Sequence, residues 1–239
     1  MTSLADRVAL VTGASRGIGR ATALALAREG CAVALVARGR EALAEAAAAV
    51  RELGGRALAI PADVTQDAAV EAVVDQTVAE LGRLDVLVTA AGVASFGPVA
   101  GTKPVDWDPM LAVNLRAAMV CCRAVLPVMV RQRGGVIVNL GSVAATRTIA
   151  GTAAYAATKA GLLAFSRVLA EEVRRDGIRV AVFHPGATDT ALWDAVPGAP
   201  DRGRMLRADD VARAVVLAVA LAPRAALEEL TLLPPEGVL

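Results

Sequence analysis

Residues 7–19 read Arg7-Val8-Ala9-Leu10-Val11-Thr12-Gly13-Ala14-Ser15-Arg16-Gly17-Ile18-Gly19, and the fold is decided here. A short apolar run meets a turn holding three glycines, and a segment of helical character, 17–29, follows. Gly13 permits a sharp turn, and Gly17 lets the backbone approach a pyrophosphate with no Cβ in the way. Gly19 allows the helix to pack closely on the strand. Amides at that helix N-terminus would face phosphates, aided by the helix dipole. A glycine trio alone is a weak signal; the strand before it and the helix after it give it weight.

Outward from this turn, short Val/Ile/Leu runs at 7–11, 31–36, 57–60, 85–88, 136–139 and 179–183, with a last one at 229–233, alternate with longer segments. Those segments, 17–29, 41–53, 67–81, 105–133, 152–175 and 208–221, have helical character. The alternation predicts right-handed βαβ units around a parallel sheet covered on both faces. Continuous apolar runs are what a strand buried on both faces shows. The expected fold is α/β: one doubly wound Rossmann domain over residues 1–239, dinucleotide-binding and catalytic, with a parallel sheet of about seven strands. The one long irregular stretch, 184–207, carries Pro185, Gly186, Pro197, Gly198, Pro200 and Gly203, and a loop of that length is usually functional.

Composition narrows the function classes. The chain of 239 residues is 56% hydrophobic with a net charge of +1, so it supports a large core and offers no electrostatic footprint for nucleic acid or an anionic membrane. Cys31, Cys121 and Cys122 have no metal-ligand spacing and read as small apolar side chains, so no metal is expected. The N-terminus shows no signal-peptide pattern, and the Ala-rich segment 213–222 is too short to cross a bilayer. The expectation is a cytoplasmic protein.

The glycine spacing is Gly-x-x-x-Gly-x-Gly, and further motifs follow in order: Asp63-Val64, Ala91-Gly92, Asn114, Ser142, Tyr155-Ala156-Ala157-Thr158-Lys159 and Pro185-Gly186. With these the chain resembles the short-chain dehydrogenase/reductase family over nearly its whole length, in particular NADP-dependent carbonyl reductases. It is similar to the ketoacyl-thioester reductases too, but ends in Leu233-Pro234-Pro235 where those have a glycine-rich segment. The resemblance implies cofactor contacts from Gly13, Ser15, Arg16, Gly17, Ile18 and Gly19, from Asp63 and Val64 at the adenine, and from Ala91 and Gly92 along the cofactor wall. It also implies contacts to the nicotinamide carboxamide from Pro185, Gly186, Thr188 and Thr190, with Thr188 standing where a branched apolar residue is usual.

The end of the second strand bears on which nicotinamide cofactor is used. An NAD-selective site places a carboxylate there for the ribose 2′-hydroxyl. This chain reads Val36-Ala37-Arg38-Gly39-Arg40, with no acid before Glu41. A guanidinium grips a 2′-phosphate through charge-assisted hydrogen bonds that a carboxylate would oppose. Arg38, with Arg16 approaching from the glycine turn, points to NADP(H).

Tyr155 and Lys159 lie four apart in a helical segment and so share one face, and Ser142 stands at a strand end thirteen residues before the tyrosine. Carbonyl reduction needs an acid to protonate the developing alkoxide, and alcohol oxidation needs the same group as a base. A free phenol titrates near pH ~10, so a neighbouring ammonium, together with the oxidised nicotinamide, is expected to favour the phenolate and lower that value. Lys159 supplies the ammonium and, by resemblance, binds the nicotinamide ribose, with Tyr155 also touching the cofactor. Ser142 would hold the substrate oxygen by hydrogen bonding. Asn114, by resemblance, belongs to a water relay linking the lysine to solvent. His184, at a strand end before Pro185, reads as structural.

Thr89-Ala90-Ala91-Gly92 replaces the family's usual Asn-Asn-Ala-Gly, which predicts weaker hydrogen bonding around the fourth strand. Val93, Phe96, Val143, Ile149, Leu192 and Trp193 outline an apolar pocket for a small-molecule carbonyl or alcohol substrate, and Arg147 lies near it. Segments 105–133 and 152–175 are, by resemblance, a two-fold interface giving a homodimer or homotetramer. Two other readings stay open: an NAD-dependent alcohol dehydrogenase with the same catalytic residues, and a non-catalytic NADP-sensing regulator or scaffold on the same fold.

Overall fold

The computed structural model describes residues 3–194, 196 and 198–238. Strands β1 (Val8–Thr12), β2 (Ala32–Ala37) and β3 (Ala57–Pro61) alternate with helices α1 (Gly17–Arg28), α2 (Arg40–Glu52) and α3 (Asp67–Leu81). After β4 (Val86–Thr89) come a short α4 (Asp108–Met110), a π-helical turn at Leu111–Arg116, and α5 (Ala117–Gln132). Strand β5 (Gly135–Leu140), helix α6 (Ala153–Val173) and strand β6 (Ile178–Pro185) follow. Two short strands, β7 (Thr188–Asp189) and β8 (Leu206–Arg207), then lead into α7 (Ala208–Val219) and β9 (Glu229–Leu232).

Seven strands form one sheet in the order β3-β2-β1-β4-β5-β6-β9, and every neighbouring pair is parallel. This is the doubly wound arrangement, with its strand order reversing between β1 and β4. Side chains alternate across the sheet. Ala9 and Val11 join one core with α1, α2 and α7, whereas Leu10 joins the other with α3, α5 and α6. Cys31 lies in the first core and Cys121 and Cys122 in the second, all three buried free thiols, as their reading as packing residues requires. Burial pushes the Cys31 and Cys121 thiols up to about 12, which keeps them unreactive.

Two features differ from the sequence reading. The irregular stretch 184–207 is cinched at its base, because Thr188 pairs with Leu206 and Asp189 with Arg207. Pairing this short has no periodicity to read; Pro197, part of that stretch, lies outside the described residues. Segment 105–133 is also not one continuous α-helix, since the π-helical turn interrupts it. Pro104–Gln132 has the length and mean hydropathy, 1.6, of a bilayer-crossing helix, yet much of it is buried against α3, α6 and the sheet. Part of its apolar surface belongs to the core, and Leu111, Met119 and Val130 are exposed.

Candidate active site

Thr12, at the end of β1, sets the geometry of the phosphate turn. Its hydroxyl accepts hydrogen bonds from the backbone N–H groups of Ala90 (3.1 Å) and Ala91 (3.2 Å), which holds the glycine turn against the segment after β4. Gly13 has φ +65, and a Cβ there would stand 2.8 Å from the Ala90 carbonyl and the Ala91 backbone. A Cβ on Gly19 would stand 2.3 Å from the Gly13 carbonyl oxygen. Only glycine lets these backbones meet. Helix α1 begins after Arg16, which gives no side-chain cap, and carries no acid in its first turn. Its N-terminal amides are therefore available to an anion.

Beside this turn, at the strand-order reversal, lies a cavity of about 620 Å³. Gly13, Ser15, Arg16, Gly17, Ile18 and Gly19 line it, as do Arg38, Asp63, Val64, Ala91, Gly92, Tyr155, Lys159, Pro185 and Thr190. Arg16 and Arg38 are exposed, and among the described residues neither forms an ion pair. Asp63 accepts from the Thr65 amide (3.0 Å) and hydroxyl (2.8 Å), and these bonds, with a smaller contribution from Arg38, hold its carboxyl below the usual range. Gly186 and Thr188 do not line the cavity. The Gly186 amide donates to Leu232 at 2.8 Å, and the Thr188 hydroxyl donates to the Gly186 carbonyl at 3.0 Å, so both brace the cavity wall from behind.

Tyr155 stands in the first turn of α6 and Lys159 one turn later. Burial holds the phenol above its ordinary value, and hydrogen bonding from Ser142 pulls the other way. Lys159 Nζ, 5.7 Å from the Tyr155 ring centre, donates to the Leu140 carbonyl at 2.7 Å. Burial brings the lysine itself down to about 8. Desolvation opposes charge on both groups.

Ser142, at the end of β5 and buried, caps the short turn Val143–Ala145 by accepting from the Ala144 amide at 3.2 Å. His184 Nδ1 lies 3.1 Å from the Ser142 carbonyl. A carbonyl only accepts, so that nitrogen carries the proton. His184 acts directly on the backbone of Ser142; its place at a strand end was the only signal the sequence held. Asn114 sits in the π-helical turn, an irregularity frequent at functional sites. Its side-chain amide pairs with both backbone groups of Val93, accepting at 2.9 Å and donating at 2.8 Å, and so ties that helix to the cavity wall.

The fourth strand is better bonded than its missing asparagines imply. Thr89 Oγ1 donates to Asn139 Oδ1 at 2.7 Å, and Asn139 Nδ2 donates to Ser166 Oγ at 2.9 Å, a buried chain linking β4, β5 and α6.

A family model described as short chain dehydrogenase matches residues 7–199. The human 3-oxoacyl-(acyl-carrier-protein) reductase is 42% identical over 187 residues, covering 78% of each chain. A metagenomic short-chain oxidoreductase solved in complex with NADP matches with a TM-score of 0.85 at 36% identity, covering 98% of this chain and 99% of that one. An alcohol dehydrogenase from the archaeon Thermococcus sibiricus, complexed with 5-hydroxy-NADP, gives 0.88 at 31% identity over 96% and 97% of the two chains. Sheet order, phosphate turn and these likenesses agree, and the chain belongs to the short-chain dehydrogenase/reductase family of oxidoreductases.

Proposed function

We propose that this chain is a single-domain, NADP(H)-dependent carbonyl reductase that acts on ketones or aldehydes and, in reverse, on alcohols. The observation that carries the reading is one cavity lined by Tyr155 and Lys159 as well as by Arg16 and Arg38. Gly13, Ser15, Gly17, Ile18 and Gly19 would hold the pyrophosphate, Arg16 and Arg38 the 2′-phosphate, and Asp63 with Val64 the adenine. Ala91 and Gly92 would form the wall, and Pro185 and Thr190 would meet the carboxamide, with Gly186 and Thr188 bracing that wall from behind. When bound, the cofactor supplies the hydride that reduces the carbonyl carbon, and it accepts one in the opposite direction. Tyr155 gives its proton to the substrate oxygen, Ser142 donates a hydrogen bond to that oxygen, and Lys159 holds the ribose. Asn114 keeps the route by which the proton is replaced from solvent. An ordinary phenol is protonated at neutral pH and burial shifts Tyr155 further the same way, which suits the reductive direction. The NADP-bound relatives support the same choice of cofactor.

Fluorescence titration with NADPH and NADH, on the wild type and on Arg38→Ala, tests the assignment. The expected result is tighter binding of NADPH that is lost in the variant. Equal or tighter binding of NADH by the wild type would overturn the NADP assignment in favour of NAD-dependent alcohol oxidation. The reading includes self-association through α5 and α6, on which Met119, Val130 and Val168 are exposed, and light scattering in solution tests it.

A further inference from the structure

Six side chains of this protein are aromatic: three Phe, two Trp and one Tyr. Three of them meet at the phenol assigned above as the proton donor. Phe96 packs edge to face with Tyr155, with ring centres 5.6 Å apart and planes at 87°. Trp193 packs on Phe96 at 5.8 Å and 48°. The three come from separate segments: the loop after β4, the first turn of α6, and the short turn Ala191–Trp193 after β7.

Filling the core does not explain Phe96 and Trp193. Both are partly exposed, and neither belongs to either core cluster. Both are nonetheless held in place. The Gly97 amide donates to the Gly151 carbonyl at 2.8 Å, which ties the Phe96 loop to the approach to α6. Trp193 Nε1 donates to the Thr188 carbonyl at 3.1 Å, which satisfies its one polar atom. Their near neighbours in the chain, Val93, Ala94 and Leu192, line the cavity. Because the Phe96 ring lies against Tyr155, a carbonyl whose oxygen reaches the Tyr155 hydroxyl brings its substituents close to this aromatic pair. Aromatic rings gain edge-to-face or offset contacts there that a puckered, saturated ring of equal size does not.

We propose that Phe96 and Trp193 form an aromatic slot beside Tyr155 that selects carbonyl compounds bearing a planar, unsaturated ring on the carbonyl carbon over saturated counterparts of the same size. The proposal rests on the carbonyl-reductase reading. The test compares NADPH-dependent reduction of acetophenone and cyclohexyl methyl ketone by the wild type, Phe96→Leu, Trp193→Leu and Trp193→Phe. The comparison between wild type and variant cancels the intrinsic reactivity difference of the two ketones. The aryl-to-alkyl ratio of kcat/KM should fall about 3- to 10-fold in each leucine variant and stay near the wild-type value in Trp193→Phe. An unchanged ratio in both leucine variants overturns the slot, whatever the absolute rates. A second readout needs no turnover. Trp107→Phe leaves Trp193 as the only tryptophan, and its emission should be quenched saturably by acetophenone, with the saturation abolished by adding Phe96→Leu. Should no carbonyl be reduced with either nucleotide, the enzymatic reading fails, and this quenching decides the slot separately: saturable quenching upholds it and purely linear quenching overturns it.

Discussion

Lys159 Nζ donates to the Leu140 carbonyl oxygen at 2.7 Å, joining the second turn of α6 to the end of β5. The contact places the ammonium beside the cavity, where burial brings its pKa down to about 8. The group is held there at a cost in stability, a common trait of residues kept for chemistry.

The sign of that cost is testable. An unfolded lysine titrates near 10.4. Between about pH 8 and that value the unfolded chain holds more protons, so raising the pH favours the folded state. Wild-type stability should therefore gain about 1 kcal/mol between pH 7 and 9 relative to Lys159→Met. Urea melts of both proteins at the two pH values measure it, and parallel curves would contradict a buried, titrating Lys159. The variant should also lose at least about 100-fold in carbonyl reduction.

His184 acts with the same sign in the acid range. Burial lowers its pKa, the Ser142 carbonyl pulling weakly upward. Below the unfolded value near 6.5 the unfolded state takes up the proton first, so stability present above that pH is lost on acidification. His184→Phe should flatten the fall in Tm between pH 7 and 5. It should also lower kcat several-fold with little change in NADPH affinity, because Ser142 loses its backbone anchor. An unaltered acid limb and an unaltered kcat would show that the imidazole does neither.

Removing the Thr89 hydroxyl leaves Asn139 Oδ1 with only the weak Cys122 thiol donor at 3.5 Å. Thr89→Val should cost about 1–3 kcal/mol, the penalty for an under-satisfied buried amide. Chemical denaturation reads it directly. A loss below about 0.5 kcal/mol would mean the buried chain from β4 to α6 contributes little.

Arg202 clasps the segment that carries Trp193, donating to Asp189 Oδ1 (2.8 Å), the Thr190 carbonyl (2.7 Å) and Asp194 Oδ1 (2.8 Å). The guanidinium is partly exposed, so the ion pairs add little to global stability. Arg202→Ala should leave Tm close to that of the wild type. It should raise the carbonyl KM several-fold and speed proteolysis within 190–204. Unchanged KM and cleavage would exclude a clasp.

Much of this was legible along the chain. The apolar runs, the glycine turn and the Tyr155–Lys159 spacing are local patterns, and a doubly wound sheet follows because strands buried on both faces carry little else. The short β7–β8 pairing and the π-helical turn at Asn114 escaped, since two-residue strands have no period and a π-turn has no composition of its own.

The sequence by itself determined the fold, the place of the phosphate turn and the identity of the groups able to transfer a proton, because each depends on residue type and short-range spacing. Tertiary structure alone decided in which direction their titration is shifted and what they touch. Thr89 reaches Asn139, His184 reaches the Ser142 carbonyl, and Phe96 meets Trp193, all across segments far apart in the chain. Desolvation, which raises the Tyr155 phenol and lowers the Lys159 ammonium, comes from every element packed around them and is not encoded at either position.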